Sequence, residues 1–331
     1  MTSEGEVGME LNQCLFAYLE ELQNGRRVSA STYDAYRRDL EHALAYLEGQ
    51  GLSSIGSVQK HHLVRYLQRI KEEGCRQSTV LRRLASIRSF YRFLTRVGYT
   101  DRDPSMHVEL SRSELPRPVP LTLDEVELLM NAPETDSPSG LRDKAMLELL
   151  YGSGIRVSEL LAMSVSDANT GMGYVRVVSP RSRERIVPLG HIASGWMGLY
   201  LREGRPRLAE QAEAGDGRSR RKPDVRDREE EAPLFLNPAG ERMSRQGFWK
   251  LIKKHARHSG IDDPEKITPH SLRTSFAAHL LERGADMRAV QEMMGHAGIV
   301  STERYAGTDR PRVKDVYERA HPRAGNPTEG F

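Results

Sequence analysis

Three alternating prolines, in the run Pro116-Arg117-Pro118-Val119-Pro120, constrain this chain more than any other feature. Proline fixes φ, removes a backbone donor and pushes the preceding residue toward extended conformations. No helix or central strand can pass through such a run, and residues 99–120 lose apolar periodicity as they approach it. The run reads as a stiff connector. At 331 residues the chain is long enough for a separate core on either side. The expected organisation is an N-terminal domain over 1–112, a linker over 113–120, a second domain over 121–324 and a tail over 325–331.

Upstream of the connector the pattern is helical. Leu11, Cys14, Leu15, Tyr18, Leu19 and Leu22 recur at the spacing of one helix face. A second helix, capped by Ser31 or Thr32, carries Tyr33, Tyr36, Leu40, Leu44 and Leu47. Ser57 opens a third with Leu63, Val64, Leu67 and Ile70. Ser78 opens a fourth with Leu81, Leu84, Ile87, Tyr91 and Leu94. Gly49, Gly51, Gly74 and Gly98 punctuate the joins. A four-helix bundle is expected.

Downstream, Thr122-Leu123-Asp124-Glu125 is a capping box ahead of Val126, Leu129 and Met130. The β-rich runs 173–178 and 184–189 read as a hairpin joined by Ser179-Pro180-Arg181-Ser182-Arg183, with Pro233-Leu234-Phe235-Leu236 as a short third strand. Residues 203–232 turn to charge and small side chains, with Leu208 and Val225 the large aliphatics; a disordered insertion is expected there. The fold class is mainly α with a small antiparallel β-sheet, an N-terminal helical bundle followed by a mixed α/β domain.

Net charge is only +3, so distribution says more than the total. Residues 74–100 hold six arginines and no acid, and Arg88, Arg92 and Arg96 repeat every four residues. Alone, such a stripe is a solvated helix face; in a chain that also carried residues suited to act on a phosphodiester, Arg82, Arg83, Arg88, Arg92 and Arg96 would become candidates for DNA backbone contact. Two cysteines give no disulfide framework or zinc site, and His61, His62 and His279 lack metal-ligand spacing, so no metal and no cofactor are expected. Gly152-x-Gly154 lacks a Walker lysine, which argues against a nucleotide site. No apolar stretch reaches about 18 residues and the acidic start is no signal peptide, so a cytoplasmic protein without a membrane partner is expected.

The chemistry-bearing residues lie in the second domain. Arg156 sits in Gly154-Ile155-Arg156-Val157-Ser158-Glu159-Leu160. His270 and Arg273 follow Thr268-Pro269, a cap and first helical residue, so they share one helix face. His296 follows Gly295, and Tyr305 follows Ser301-Thr302. Guanidinium groups can hold non-bridging phosphate oxygens, imidazoles can move protons and a phenol can attack phosphorus. Glu159, one turn beyond Arg156, is suited to orient it.

These boxes resemble those of the tyrosine site-specific recombinases. The first is similar to Tyr151–Leu160. The second is similar to Ile267–Arg273 with Phe276–Leu281, Gly284-Ala285-Asp286, Gly295-His296 and Ser301–Tyr305. Val316-Tyr317 and Ala320-His321-Pro322-Arg323-Ala324 resemble the Xer branch. The resemblance implies a SAM-like core-binding domain before a catalytic domain. It implies Tyr305 as nucleophile, with a 3′-phosphotyrosyl intermediate, and Arg156, His270, Arg273 and His296 around the scissile phosphate. It further implies a tetramer on two duplex DNA recombination sites, the tail (Val313, Val316, Tyr317) docking on a neighbouring protomer. A second homologous recombinase, a septal DNA translocase and a role in chromosome dimer resolution also follow from it. One departure stands out: where the family has a hairpin lysine, this chain has Pro180, and no lysine occurs from 145 to 221. Arg181 or Arg183 could place positive charge near the leaving 5′-oxygen, but a pKa above about 12 makes arginine a poor proton donor. Slower cleavage, or a proton delivered by water, is expected. Two alternatives remain open: a catalytically impaired DNA-binding relative, and the integrase of a mobile element.

Overall fold

The computed structural model describes residues 10–25, 28–110, 119–179, 182–215, 232–295 and 313–324. The chain divides into two compact units, Met1–Arg117 and Pro118–Phe331.

The first unit is built on α1 (Leu11–Asn24), α2 (Ala30–Gly49), α3 (Lys60–Glu72) and α4 (Gln77–Val97). The apolar stripes meet in one core, in which Cys14, Tyr18, Leu40, Leu44, Leu67, Ile70, Leu84, Ile87 and Tyr91 are all buried. The helix starts differ from expectation because caps are chosen by geometry as well as residue type. Ser29, two residues earlier than expected, caps α2 by accepting from the Thr32 amide at 3.2 Å. Ser57 belongs to a short 3-10 turn and donates to the Ser54 carbonyl at 2.6 Å, so α3 begins only at Lys60. At α4, Arg76 occupies the cap, two residues ahead of Ser78.

The second unit opens with α5 (Leu123–Asn131), where the capping box forms: Glu125 N–H donates to Thr122 Oγ1 at 3.1 Å and Thr122 N–H to Glu125 Oε2 at 2.8 Å. Next comes α6 (Pro138–Ser153), buried almost end to end beneath its neighbours. Then follow α7 (Val157–Ala162) and a sheet of β1 (Ala168–Asn169), β2 (Tyr174–Ser179) and β3 (Ser182–Pro188), antiparallel in that order. Val175 pairs with Val187 and Val177 with Arg185.

The third strand is therefore Ala168–Asn169 and not Pro233–Leu236. That run makes only isolated bridges, Ser164 to Pro233 and Leu236 to Arg242. The Tyr200 hydroxyl takes the place of a strand partner, donating to the Leu234 carbonyl at 3.1 Å and accepting from the Leu236 amide at 3.2 Å.

The disordered insertion also needs correction at its start. After α8 (His191–Leu199), one π-helical turn over Tyr200–Gly204 leads directly into α9 (Arg205–Gly215). Leu208 is buried against the core, and Arg205 donates twice to the Pro233 carbonyl, at 3.2 and 3.0 Å. One well-placed leucine and this tether order a segment whose average composition is polar. Residues 216–231 lie outside the described residues.

The unit continues with α10 (Arg245–His258), α11 (Pro269–Glu282), α12 (Met287–Met294) and α13 (Val313–Ala320). Within this single chain α13 packs on its own domain, against α11, α12 and β3, where the family resemblance implied a neighbouring protomer. Val316, Tyr317 and Ala320 form the buried face of α13. The Gly190 amide donates to Tyr317 Oη at 3.0 Å, and Arg323 reaches the buried Glu148 carboxylate with two bonds of 2.8 and 2.5 Å.

Candidate active site

Local sequence sets the positions of the two arginines. Helix α6 ends at Gly154, whose φ of +59° is a left-handed conformation that glycine adopts without strain. The chain turns there, buries Ile155 and extends at Arg156, the residue before α7. At the third position of α7, Glu159 reaches back to accept from the Arg156 amide at 2.7 Å. On α11, the Thr268 hydroxyl caps the start by accepting from the Ser271 amide at 3.0 Å, and Pro269 fills the first turn. His270 is consequently exposed on that first turn, while Arg273, one turn on, points inward and is 6% exposed.

The structure brings Arg156 and Arg273 together at the end of α12. The last carbonyls of a helix lack intrahelical partners, and here three arginines supply them in succession. Arg185 Nε donates to Met293 O at 3.0 Å, Arg273 Nη2 to Met294 O at 2.6 Å and Arg156 Nη2 to Gly295 O at 2.9 Å. Arg273 Nη1 also donates to the Gly154 carbonyl, closing the turn that presents Arg156. Cations at a helix C-terminus are favoured by its dipole, and bonds from a charged donor contribute roughly 1.5–3 kcal/mol each.

Among the described residues, Glu159 is the single carboxylate bonded among these guanidinium groups, and it is 4% exposed. Its Oε1 accepts from Arg156 Nη1 at 3.0 Å and Arg185 Nη1 at 2.9 Å; its Oε2 accepts from Arg185 Nη2 at 2.8 Å and from the Arg156 amide. Burial works to raise its pKa, but the Arg185 hydrogen bonds, the Arg156 amide and both cationic charges prevail and hold the carboxyl below its usual range. Burial, reinforced by the charges of Arg156 and Arg185 and opposed by Glu159, pushes the Arg273 guanidinium down to about 10, so it stays charged at neutral pH.

Close packing fixes the same parts. A Cβ on Gly154 would lie 2.2 Å from Cδ1 of Phe276, and one on Gly295 (φ +64°) would lie 2.8 Å from Cζ of Arg185. Both glycines are needed for space as well as for backbone conformation. His279, read from sequence as structural or surface, is buried; it lies 2.9 Å from the Tyr151 hydroxyl and 2.9 Å from the Leu121 carbonyl. It thereby pins the start of the second unit to α11.

Arg185 is the site member that sequence reasoning missed. The available signal was its place two residues before the buried Val187 on a strand whose Ile186 faces out, 64% exposed. His296, Tyr305, Pro180, Arg181 and the side chain of Arg183 lie outside the described residues.

In the first unit the candidate DNA-contact arginines separate by partner. Arg82 and Arg96 are exposed and paired with Asp39 and Glu21. Arg83 turns inward, donating to the Tyr66 hydroxyl at 3.1 Å. Arg88 donates to the Val108 carbonyl at 2.6 Å, and exposed Arg92 lies back on the Arg88 carbonyl at 3.3 Å.

A model of the phage integrase family matches residues 120–311, and a model of its N-terminal SAM-like domain matches residues 15–98. The chain belongs to the phage integrase family. Tyrosine recombinase XerD of Halalkalibacterium halodurans is 40% identical over 310 residues, covering 93% of this chain and 97% of that relative. The family brings its reaction class: this is a tyrosine recombinase, a site-specific enzyme that breaks and rejoins DNA through a tyrosine-linked intermediate. Two solved structures share the fold. The Tn1549 transposon integrase in complex with circular intermediate DNA has a TM-score of 0.65 at 20% identity, over 87% of this chain and 92% of that one. A lambda integrase tetramer bound to a Holliday junction has a TM-score of 0.62 at 17% identity, over 93% of this chain and 85% of that one.

Proposed function

We propose that this chain is a Xer-type recombinase acting in the cytoplasm on duplex recombination sites in chromosome dimer resolution. Tyr305 attacks the scissile phosphorus, the bond to the 5′-oxygen breaks, and the DNA is left joined to the phenol as a 3′-phosphotyrosyl ester. Arg156 and Arg273 hold the non-bridging oxygens, His270 and His296 carry hydrogen bonds and protons, and Glu159 orients Arg156. With no hairpin lysine, water protonates the departing 5′-oxygen, with the charge of Arg181 or Arg183 beside it. Attack by the 5′-hydroxyl of the exchanged strand reverses the step and releases Tyr305. The linker over 113–120 separates the core-binding domain from the catalytic one.

The observation that carries this reading is the convergence of Arg156 and Arg273 on adjacent carbonyls, Gly295 and Met294, immediately before His296 in the chain. A fixed pair of guanidinium groups suits a phosphate held for in-line attack. No helix among the described residues is long and apolar enough to cross a membrane. The lambda integrase structure is a tetramer bound to a Holliday junction, which supports a tetramer here; a second recombinase in that tetramer and control by a septal DNA translocase complete the proposal. In that assembly α13 would leave its own domain for a neighbour.

A nicked suicide substrate tests the chemistry. The wild-type chain should accumulate a covalent DNA adduct, and Tyr305→Phe should accumulate none while still binding the site. Binding by the wild type with no adduct would replace this reading with that of a catalytically silent DNA-binding relative.

A further inference from the structure

We propose that Arg185 is a positioning residue of the strand-cutting site, locking Glu159 and the Met293 carbonyl and so setting where Arg156 can grip a phosphate. The inference rests on the function proposed above and goes beyond it, since Arg185 touches no reacting atom.

Its placement is costly unless it serves the site. On β3 an isoleucine faces solvent while the neighbouring arginine turns inward, its side chain only 12% exposed. A buried cation is tolerated when it is paired and hydrogen-bonded, and three bonds from Arg185, one from each nitrogen, end on two members of the site.

The bond pattern shows what the residue does. Without Arg185, both oxygens of Glu159 would be open to Arg156, and a fork-to-fork pair would draw that guanidinium flat against the carboxylate. Arg185 occupies one position on each oxygen. Arg156 is left with a single side-chain bond to Oε1, and its other terminal nitrogen swings to Gly295 O. Its side chain remains 39% exposed, with donors available for a ligand.

Charge points the same way. Three guanidinium groups around one carboxylate leave two positive charges, matching the two negative charges that build on a pentavalent phosphorus during attack. Without Arg185 one would remain. The bare Gly295 backbone is what lets Arg185 approach, as the blocked Cβ position shows.

Single-turnover adduct formation by the full chain on a nicked substrate tests this. Arg185→Met should slow adduct formation roughly 100-fold, with affinity for the same DNA unchanged. Its rate should also fall off at a higher pH than the wild type on acidification. Glu159 is held below the usual carboxylate range chiefly by Arg185, so its carboxyl protonates earlier once that partner is gone. Adding Glu159→Gln to Arg185→Met should abolish this shift. Arg185→Lys keeps the charge but loses the fork, and should fall between the two; if Arg185→Met does not fold, the lysine variant decides by the same two readouts. A wild-type rate in a folded Arg185 variant would overturn the proposal. So would a rate loss matched by equal losses in DNA affinity and melting temperature with no movement of the pH profile. Failure of the wild type itself to form an adduct would instead refute the proposed function.

Discussion

On the N-terminal bundle the exposed Arg96 ends on Glu21 at the surface and Arg82 reaches from solvent to the buried Asp39, whereas Arg273, in the C-terminal unit, ends on two main-chain carbonyls. A carboxylate cancels most of an arginine's charge, and on exposed side chains the pair is easily exchanged for water or for another anion. A carbonyl fixes direction but leaves the full positive charge in place. The first arrangement suits arginines that can exchange a carboxylate for the DNA backbone. The second suits the role proposed for Arg273, which is to meet a single phosphate with no rearrangement. Arg88 shows that sequence neighbourhood does not decide the matter: it lies on the basic stripe of α4, yet it holds the carbonyl of Val108.

The largest expected effect is on Arg273. Arg273→Ala should reduce adduct formation by about 10²–10³ while binding in a gel-shift assay persists; cleavage within tenfold of wild type would break the contrast. Next comes Arg88→Ala, which should lower stability by about 1–3 kcal/mol in chemical denaturation and leave DNA affinity unchanged. A loss of affinity without a loss of stability would put Arg88 among the DNA contacts. The smallest effect on stability is expected from Arg96→Ala, below about 1 kcal/mol; Arg82→Ala takes one of two cationic partners from the buried Asp39 and should cost more. Their signature lies in salt titration, where each substitution should reduce the slope of log affinity against log salt by roughly 0.9. An unchanged slope would leave both arginines as structural partners of their carboxylates.

The bundle was legible because each of its helices buries one face and solvates the other, so α1 to α4 print their periodicity in sequence. The capping box at Thr122 and the Thr268-Pro269 start were legible for a related reason: local bonds between near neighbours determine them. Helix α6 left no such trace. Packed on nearly all sides, it has no polar face, and Arg142, Asp143, Lys144 and Glu148 are buried within it. Asp143 accepts from Arg142 at 2.9 and 2.6 Å and lies 2.8 Å from His255 Nε2, partnerships that no pattern along the chain announces. Arg185 escaped for the same cause, since its value comes from Glu159 and Met293, both distant in sequence. The tyrosine and histidine intervals pointed to a reaction class; the carbonyls that aim the arginines belong to the fold alone.

Phe276 lies one turn beyond Arg273 and fills the space where position 154 would carry a side chain. An added methyl at Gly154 brings no charge, no acid and no nucleophile, yet it would wedge α11 away from the turn that ends α6. Recombination can thus be lost through a residue that has no functional group at all, because two guanidinium groups from remote parts of the polypeptide keep their spacing only while that point stays bare.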